Sequence, residues 1–209
     1  MRNKKIVDLE LDNSILDKLD LTQFDKYLTA KMKDIGGYDF YGKSGKEHYR
    51  LLSHISNTFD NITILDVGTY NGGSAMALST NQKNKVISVD IEDRNQTIID
   101  VPNIEFYVGD ITEAPLGYEL IQQSDIILYD TVHDGKIETE FHKLLLKLNW
   151  NGIVIWDDIK LRWNGEKRIG MINFWNNITN QKFDITKYAH WTGTGIVSYG
   201  DTILRLKLM

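Results

Sequence analysis

Three aspartates follow short apolar runs in the second half of the chain, and their placement suggests metal chemistry. Asp130 ends the run Ser124–Asp130, and Asp157 and Asp158 follow the run Gly152–Trp156. If both runs are parallel strands, the carboxylates converge, because open α/β sheets bind ligands beyond the carboxyl ends of their strands. Carboxylates that lie close together repel one another, which raises their pKa values, and a hard divalent cation such as Mg²⁺ removes this repulsion. The three aspartates are therefore predicted metal ligands; the alternative is that they cap helices or lie in solvated turns.

A histidine lies three residues after the first of these aspartates, within Asp-Thr-Val-His-Asp-Gly. An imidazole with a pKa near ~6.5 suits a general base at neutral pH. His133 is therefore the candidate catalytic base and Asp134 the reserve, with a structural role as the alternative for each. Surface or core roles are predicted for the histidines in helical stretches, which are His48, His54 and His142.

A glycine-rich turn follows the first apolar run of the middle part of the chain. Gly68 permits a sharp turn and the close approach of a ligand. The helix beginning near Gly72 would point free N–H groups at an anionic or carboxylate group. Asp90 ends the next run, 22 residues after Gly68, where an acidic side chain accepts hydrogen bonds from a ribose diol. The spacing Gly68-x-x-x-Gly72-Gly73 departs from G-x-G-x-x-G, so a turn without a ligand remains an alternative.

Short apolar runs alternate with helical stretches after Asn61, which predicts an α/β sheet with helices on both faces. Each run is rich in Ile and Val, as buried parallel strands are. After Asp158 the pattern predicts a helix over Glu166–Ile178, a strand over Phe183–Ala189 and a closing hairpin. The hairpin joins Gly195–Tyr199 to Thr202–Leu208. The earlier predicted strands are Ile62–Val67, Lys85–Asp90, Ile104–Val108, Ser124–Asp130 and Gly152–Trp156, and the crossovers are Gly73–Thr80, Asn95–Asp100, Leu116–Gln122 and Lys136–Leu148.

The chain before this pattern is predicted to be helical, because leucine and isoleucine recur there at three- and four-residue steps. We divide the chain into a helical N-terminal extension or lid, residues 1–43, and a domain over residues 44–209. A helix is predicted over Lys46–Thr58, and the Lys31–Tyr41 region is the candidate lid.

Composition excludes several classes of protein. The 209 residues carry a formal charge of −5, which argues against a nucleic-acid binder. They include no cysteine, so neither a disulfide nor a thiolate zinc site forms. Their apolar runs are far shorter than the ~18 residues of a membrane span, and no signal peptide is recognised at the N-terminus. We expect a cytoplasmic protein with no nucleic-acid or membrane partner; the sequence leaves a homo-oligomer open.

The segment Asp66-Val-Gly-Thr-Tyr-Asn-Gly-Gly-Ser-Ala resembles the first motif of class I S-adenosylmethionine (SAM)-dependent methyltransferases. It is especially similar to the catechol O-methyltransferase-like group, and the resemblance covers roughly residues 45–200. It implies that Gly68, Tyr70 and Ser74 lie around the methionine end of SAM and that Asp90 holds the ribose. It also implies that Asp110 and Ile111, which follow the third strand, lie near the adenine; the alternative for Asp110 is a turn or cap residue. Similar glycine-bearing loops lie near the active site in this family, which makes His190 a candidate for substrate contact. The predicted cofactor-binding residues are Asp66, Gly68, Tyr70, Gly72, Ser74, Asp90, Ile91, Asp110 and Ile111.

Metal-dependent O-methyltransferases, including those acting on sugars, carry acids where Asp130, Asp157 and Asp158 stand in this sequence. The resemblance implies that the metal binds two neighbouring substrate hydroxyls and lowers the pKa of one. We therefore predict a Rossmann-like, doubly wound, seven-stranded sheet with an antiparallel last strand. The predicted function is Mg²⁺-assisted methyl transfer from SAM to a small-molecule hydroxyl, in a sugar or another vicinal-hydroxyl compound. The alternatives are an NAD-type oxidoreductase and a non-catalytic protein that retains the fold.

Overall fold

The computed structural model describes residues 5–27, 43–93, 101–160, 162–163, 166–167 and 169–209. The strands in this part of the chain are β1 (Lys5–Leu11), β2 (Thr63–Val67), β3 (Lys85–Asp90), β4 (Ile104–Val108), β5 (Ile126–Tyr129), β6 (Gly152–Trp156), β7 (Arg162–Trp163), β8 (Glu166–Lys167), β9 (Lys182–Asp184), β10 (Gly195–Tyr199) and β11 (Thr202–Leu208). The helices are α1 (Asn13–Leu16), α2 (Lys43–Thr58), α3 (Gly73–Leu78), α4 (Leu116–Gln123), α5 (Lys136–Lys147) and α6 (Ile169–Asn177), with 3₁₀ turns at Thr22–Tyr27 and Thr186–Tyr188.

The central sheet has seven strands in the order β4-β3-β2-β5-β6-β10-β9. Strands β2 to β6 pair in parallel, whereas β10 is antiparallel to both β6 and β9. The predicted α/β fold with an antiparallel end to the sheet is confirmed. Because β2 lies between β3 and β5, the chain reverses its direction of strand addition there. The carboxyl ends of β2 and β5 therefore form the crevice in which doubly wound sheets bind ligands.

Side chains alternate between two apolar cores on opposite faces of the sheet. Ile64 packs in one core with α2, α3, β1 and β11, and its neighbour Leu65 packs in the other with α4, α5 and α6. Both faces of each central strand are buried, which explains the unbroken apolar runs of the sequence. None of the described helices combines the length and apolarity needed to cross a bilayer.

The N-terminal segment differs from the prediction of a helical extension. Residues Lys5–Leu11 form a strand that pairs in parallel with β11, outside the central sheet. The predicted hairpin between β10 and β11 is therefore wrong as well, because β11 takes β1 as its partner. The reason is spacing: Val7, Leu9 and Leu11 alternate with more exposed residues and enter the core from one face of a strand. Helical structure follows only in α1 and the first 3₁₀ turn.

The remaining boundaries differ by a few residues. Helix α2 begins at Lys43, ahead of the predicted Lys46, and α6 begins at Ile169 because the residues before it include the two short strands β7 and β8. The predicted strand Phe183–Ala189 divides into β9 and a 3₁₀ turn. The candidate lid and the predicted helix Asn95–Asp100 lie outside the described residues.

Candidate functional site

The turn after β2 lies directly against the end of β5. Gly68 has φ +103°, and its N–H donates to the Val89 carbonyl at 2.9 Å. A Cβ at this position would lie 1.8 Å from the Asp130 carbonyl oxygen, so the turn excludes any side chain here. The predicted cofactor turn and the first predicted metal ligand are therefore in contact.

Asp90 lies beside the same turn and binds its backbone. Its Oδ2 accepts a hydrogen bond from the Tyr70 N–H and its Oδ1 accepts one from the Glu92 N–H, both at 3.0 Å. Tyr70 has φ +42°, and Gly72, the N-cap of α3, has φ +77°. Ile91 follows with 71% of its surface exposed. These four predicted residues therefore lie together at the carboxyl ends of β2 and β3.

Asp66 is fully buried in β2, beneath the turn. Its Oδ2 accepts hydrogen bonds from the Ser88 hydroxyl at 2.7 Å and the Ser74 hydroxyl at 3.1 Å. Its Oδ1 is buried with no hydrogen-bond partner among the described residues. Burial raises the pKa of Asp66 to about 7, although the two serine hydroxyls oppose the rise. The carboxyl group is therefore poised to carry or to lose a proton near neutral pH.

The two residues predicted near the adenine differ in exposure. Asp110 is exposed, and its Oδ1 accepts hydrogen bonds from the N–H and the hydroxyl of Thr112, at 2.8 and 2.7 Å. Ile111 is buried in the apolar core on the side of α4 and α5. Asp110 therefore organises the turn after β4, as a turn residue would.

Six acidic and histidine side chains converge next to the glycine turn; we call them the Asp-His cluster. In its first half, the Nε2 atom of His133 lies 3.1 Å from Asp130 Oδ1 and 3.6 Å from Asp158 Oδ2. Both His133 and Asp158 have positive φ, at +58° and +56°. Such strained backbone persists where the surrounding structure enforces it, and it concentrates at functional sites. The members of the cluster are His48, Asp130, His133, Asp157, Asp158 and His190.

The second half of the cluster surrounds Asp157. His190 Nε2 is 2.8 Å from Asp157 Oδ1, and His48 Nδ1 is 3.7 Å from the same oxygen. Two sets of three side chains in the described residues have ligand atoms that all lie within 4.8 Å of one another: His48–Asp157–His190 and Asp130–His133–Asp157. Of the three predicted metal ligands, Asp130 and Asp157 therefore share one set, together with His133, and Asp158 belongs to neither set.

Charges within the cluster shift its pKa values in opposite directions. Burial alone would lower the pKa values of His133 and His190, but the carboxylates beside them outweigh it and raise both to about 9. Burial would raise the pKa of Asp157, but the two histidines next to it hold that pKa below its usual range. Burial and the charge of Asp157 raise the pKa of Asp158 to about 6. For His48, burial dominates and lowers the pKa.

A buried glutamate that the sequence did not reveal as functional holds the loop bearing His133. Glu138 accepts hydrogen bonds from the N–H of His133 at 3.0 Å and the N–H of Gly135 at 2.7 Å. Asp134, the reserve candidate base, instead accepts from the N–H groups of Lys136 and Ile137, at 2.7 and 3.1 Å. Asp134 therefore caps α5, and His133 is the residue of this loop that the fold directs into the cluster.

His190 is held by its own loop. The Thr192 hydroxyl is hydrogen bonded to His190 Nδ1, which leaves Nε2 for Asp157. The loop is fixed to the segment after β6, because the Lys160 N–H donates to the Thr192 carbonyl at 2.8 Å and the Ile159 N–H donates to the Gly193 carbonyl at 3.1 Å. The sequence singled out His190 for substrate contact; the structure places it against a predicted metal ligand.

His48 enters the cluster from α2, and sequence reasoning missed it. The preceding prediction gave it a surface or core role, and it is in fact buried against His190, with ring centroids 4.9 Å apart. Helix α2 reaches this position because it packs closely on α3: a Cβ at Gly73 would lie 2.5 Å from the Tyr49 hydroxyl oxygen. No local signal identifies His48, since its role depends on the packing of two helices.

Comparisons of the sequence with known proteins assign no family to this chain. No protein-family model matches the chain. An uncharacterized protein, R132, of Acanthamoeba polyphaga mimivirus is 25% identical over a match that covers 60% of this chain and 66% of that protein; the matched part thus spans about two thirds of that relative.

Two solved structures share the fold at low sequence identity. The methyltransferase PaMTH1 of Podospora anserina, with bound S-adenosylhomocysteine, aligns with a TM-score of 0.55 at 15% identity and covers 76% of this chain and 82% of its own. The O-methyltransferase TomG of Streptomyces achromogenes, in complex with SAM, aligns with a TM-score of 0.52 at 14% identity. The alignment covers 88% of this chain and 91% of TomG. The chain therefore has the Rossmann-like fold of SAM-dependent methyltransferases, as the first motif predicted.

Proposed function

We propose that this protein transfers a methyl group from SAM to a hydroxyl of a small molecule, a sugar or another compound with neighbouring hydroxyls, with the help of a divalent cation such as Mg²⁺. The observation that carries the proposal is the contact between Gly68 and Asp130. It sets a glycine turn suited to SAM next to a cluster suited to activating an acceptor. An in-line displacement requires that donor and acceptor be aligned in this way.

The residues around the turn fit SAM. Asp66 is a buried carboxyl group whose Oδ1 has no hydrogen-bond partner in the described part of the chain. Buried carboxylates are stable where a cation or a hydrogen-bond donor compensates them, and SAM carries both an ammonium and a sulfonium group. The turn at Gly68 bears no side chain that would obstruct a ligand. PaMTH1 and TomG, which share the fold, bind S-adenosylhomocysteine and SAM.

The Asp-His cluster fits a divalent cation. It offers the carboxylates of Asp130, Asp157 and Asp158 at the ends of two neighbouring strands, and carboxylates are the ligands hard cations prefer. When bound, such an ion supplies positive charge that lowers the pKa of an acceptor hydroxyl. Asp130 and Asp157 would hold it, and Asp158 would contribute from the His133 side of the cluster.

His133 is the proposed proton acceptor for the hydroxyl. It lies between Asp130 and Asp158, and Glu138 fixes its backbone. Hydrogen bonding to Asp130 keeps the imidazole protonated, with a pKa of about 9. An imidazole accepts a proton only in its neutral form, so the base function requires that Asp130 be engaged by a partner other than His133.

Replacement of Asp157 by Ala tests the proposal. We expect Asp157→Ala to abolish dependence on a divalent cation and most turnover, while calorimetric titration gives a SAM affinity within a few fold of the wild type. Asp201→Ala, in the exposed turn between β10 and β11, is the control and should leave both unchanged. Normal turnover of Asp157→Ala in EDTA would show that the metal role is wrong. Tight binding of NAD with no binding of SAM would favour the oxidoreductase alternative.

A further inference from the structure

Asp157 is surrounded by nitrogen donors, which the predicted all-carboxylate site does not include. Its Oδ1 accepts a hydrogen bond from His190 Nε2 at 2.8 Å and lies 3.7 Å from His48 Nδ1. The Thr194 hydroxyl lies 3.4 Å from the same oxygen. The three ligand atoms of His48, Asp157 and His190 lie within 4.8 Å of one another, and all three residues are buried. Their spacing brings two imidazoles and one carboxylate to a common point.

The Nδ1 atom of His48 makes no hydrogen bond within the described part of the chain, and its contact with Asp157 Oδ1, at 3.7 Å, is too long to be one. The atom is also buried. Buried polar atoms are almost always paired, so an unpaired one indicates a missing partner. This atom lies on the Asp157 side of the ring, 3.7 Å from Oδ1. A metal ion between the two residues would satisfy it.

The other imidazole is already oriented as a ligand. In metal sites, the nitrogen of a histidine that does not bind the ion is held by a hydrogen bond, which fixes the ring and its tautomer. His190 has this arrangement, because the Thr192 hydroxyl binds its Nδ1 and Nε2 points at Asp157. A Cβ at Gly193 would lie 2.9 Å from the backbone nitrogen of Lys160, so the loop approaches that segment too closely for a side chain, and two backbone hydrogen bonds hold it there.

The geometry points to a divalent transition-metal ion bound by His48 Nδ1, His190 Nε2 and Asp157 Oδ1. Imidazole nitrogen favours ions such as Fe²⁺, Co²⁺ and Zn²⁺, and a site of nitrogen and oxygen ligands also binds Mn²⁺, the weakest of the same series, whereas Mg²⁺ binds oxygen ligands almost exclusively. Two histidines and one carboxylate leave further coordination positions open, and Asp157 also lies within 4.8 Å of ligand atoms of Asp130 and His133. The inference rests on the proposed function only in assigning this ion to the acceptor hydroxyl; the binding of the ion does not depend on SAM.

Replacement of His48 by Phe separates a ligand from a packing residue. Phe keeps an aromatic ring against Tyr49 and His190 but removes the unpaired nitrogen. Without metal, we expect a melting temperature no lower than that of the wild type, because removing a buried unpaired polar atom relieves a penalty. We expect affinity for Mn²⁺ and Co²⁺ to fall at least about 100-fold, since even residues that only support a ligand contribute about 10- to 100-fold.

Thermal unfolding without SAM or acceptor measures the binding. At a concentration about 100 times its Kd, Mn²⁺ or Co²⁺ should raise the wild-type melting temperature by about 5–10 °C, and Mg²⁺ should require a far higher concentration. His54→Phe is the matched control on the same helix: it loses the hydrogen bond from His54 Nε2 to the Glu10 carbonyl but should retain the full metal-induced shift.

Spin-echo spectroscopy of bound Mn²⁺ provides a second measurement, which holds even if His48→Phe does not fold. Two ligating imidazole nitrogens in the wild-type protein would support the inference. Stabilisation by Mg²⁺ and Mn²⁺ alike, with no nitrogen coupling, would overturn it and leave the proposed function standing. Nitrogen-ligated Mn²⁺ in a protein that does not bind SAM would support this metal site and contradict the proposed function.

Discussion

The buried carboxyl group of Asp66 makes the stability of this protein depend on pH in a way that one substitution should remove. The pKa of Asp66 is raised from 3.8 to about 7 by burial. The unfolded chain therefore releases this proton at a lower pH than the folded chain does. The contribution of Asp66 to stability is most favourable below pH 4 and is lost progressively as the pH rises to about 7.

The size of the effect follows from the two pKa values. A pKa difference of about 3 corresponds to about 4 kcal/mol well above pH 7, and about 2–3 kcal/mol of it develops between pH 5 and pH 8, because the unfolded chain is already ionised at pH 5. Asp66→Asn keeps the shape of the group and hydrogen-bonding atoms for Ser74 and Ser88 but cannot ionise. The stability of the variant relative to the wild type should therefore increase by about 2–3 kcal/mol from pH 5 to pH 8.

Urea unfolding of both proteins at the two pH values, without SAM, measures this difference directly. All other titrating groups are common to the two proteins and cancel to first order in the comparison. Asp110→Asn, in an exposed turn, is the control and should show the same offset at pH 5 and pH 8. An equal offset for Asp66→Asn at both pH values would refute the reasoning and would mean that Asp66 is ionised in the folded protein at pH 5.

Two further substitutions test the geometry of the site. Gly68→Ala would place a methyl group 1.8 Å from the Asp130 carbonyl oxygen at a φ of +103°, so we expect a loss of more than about 3 kcal/mol in urea unfolding. At Gly109 an added Cβ would have no neighbouring atom within 4 Å, so Gly109→Ala should change stability by less than about 1 kcal/mol. Comparable losses of stability in the two variants would contradict the close contact between Gly68 and Asp130. Glu138→Gln directs an amide N–H₂ group at the backbone N–H of either His133 or Gly135, where the carboxylate accepts a hydrogen bond. The loss of that bond should lower the free energy of unfolding in urea by about 1–3 kcal/mol. It should also lower kcat with little change in the KM for SAM. A rise in that KM with unchanged kcat would instead connect this loop to the cofactor.

The pairing of β1 with β11 shows where local patterns fail. The N-terminal leucines satisfy both a helical and an alternating spacing over short stretches, and a short apolar run does not distinguish a helix from a strand. Strand β11 is nearly two hundred residues away in sequence, and the segment forms a strand because each of its residues pairs with one of β11. The same partner removes β11 from the predicted hairpin with β10.

The sequence by itself determined the parallel strands of the central sheet, the glycine turn and the aspartates at the strand ends. These features are encoded locally, by buried apolar runs of strand length and by a glycine motif directly after one of them. The convergence of Asp130 and Asp157 also followed from the sequence, since parallel strands end on one edge of the sheet.

Only the tertiary structure decided what surrounds those aspartates. His48 reaches Asp157 because α2 packs on Gly73 of α3, and His190 reaches it because a loop at the other end of the chain is fixed against the segment after β6. The depth at which Asp66 is buried, and hence its pKa, likewise depends on both faces of the sheet being covered. Such properties arise from contacts between distant segments, and local spacing carries no information about them.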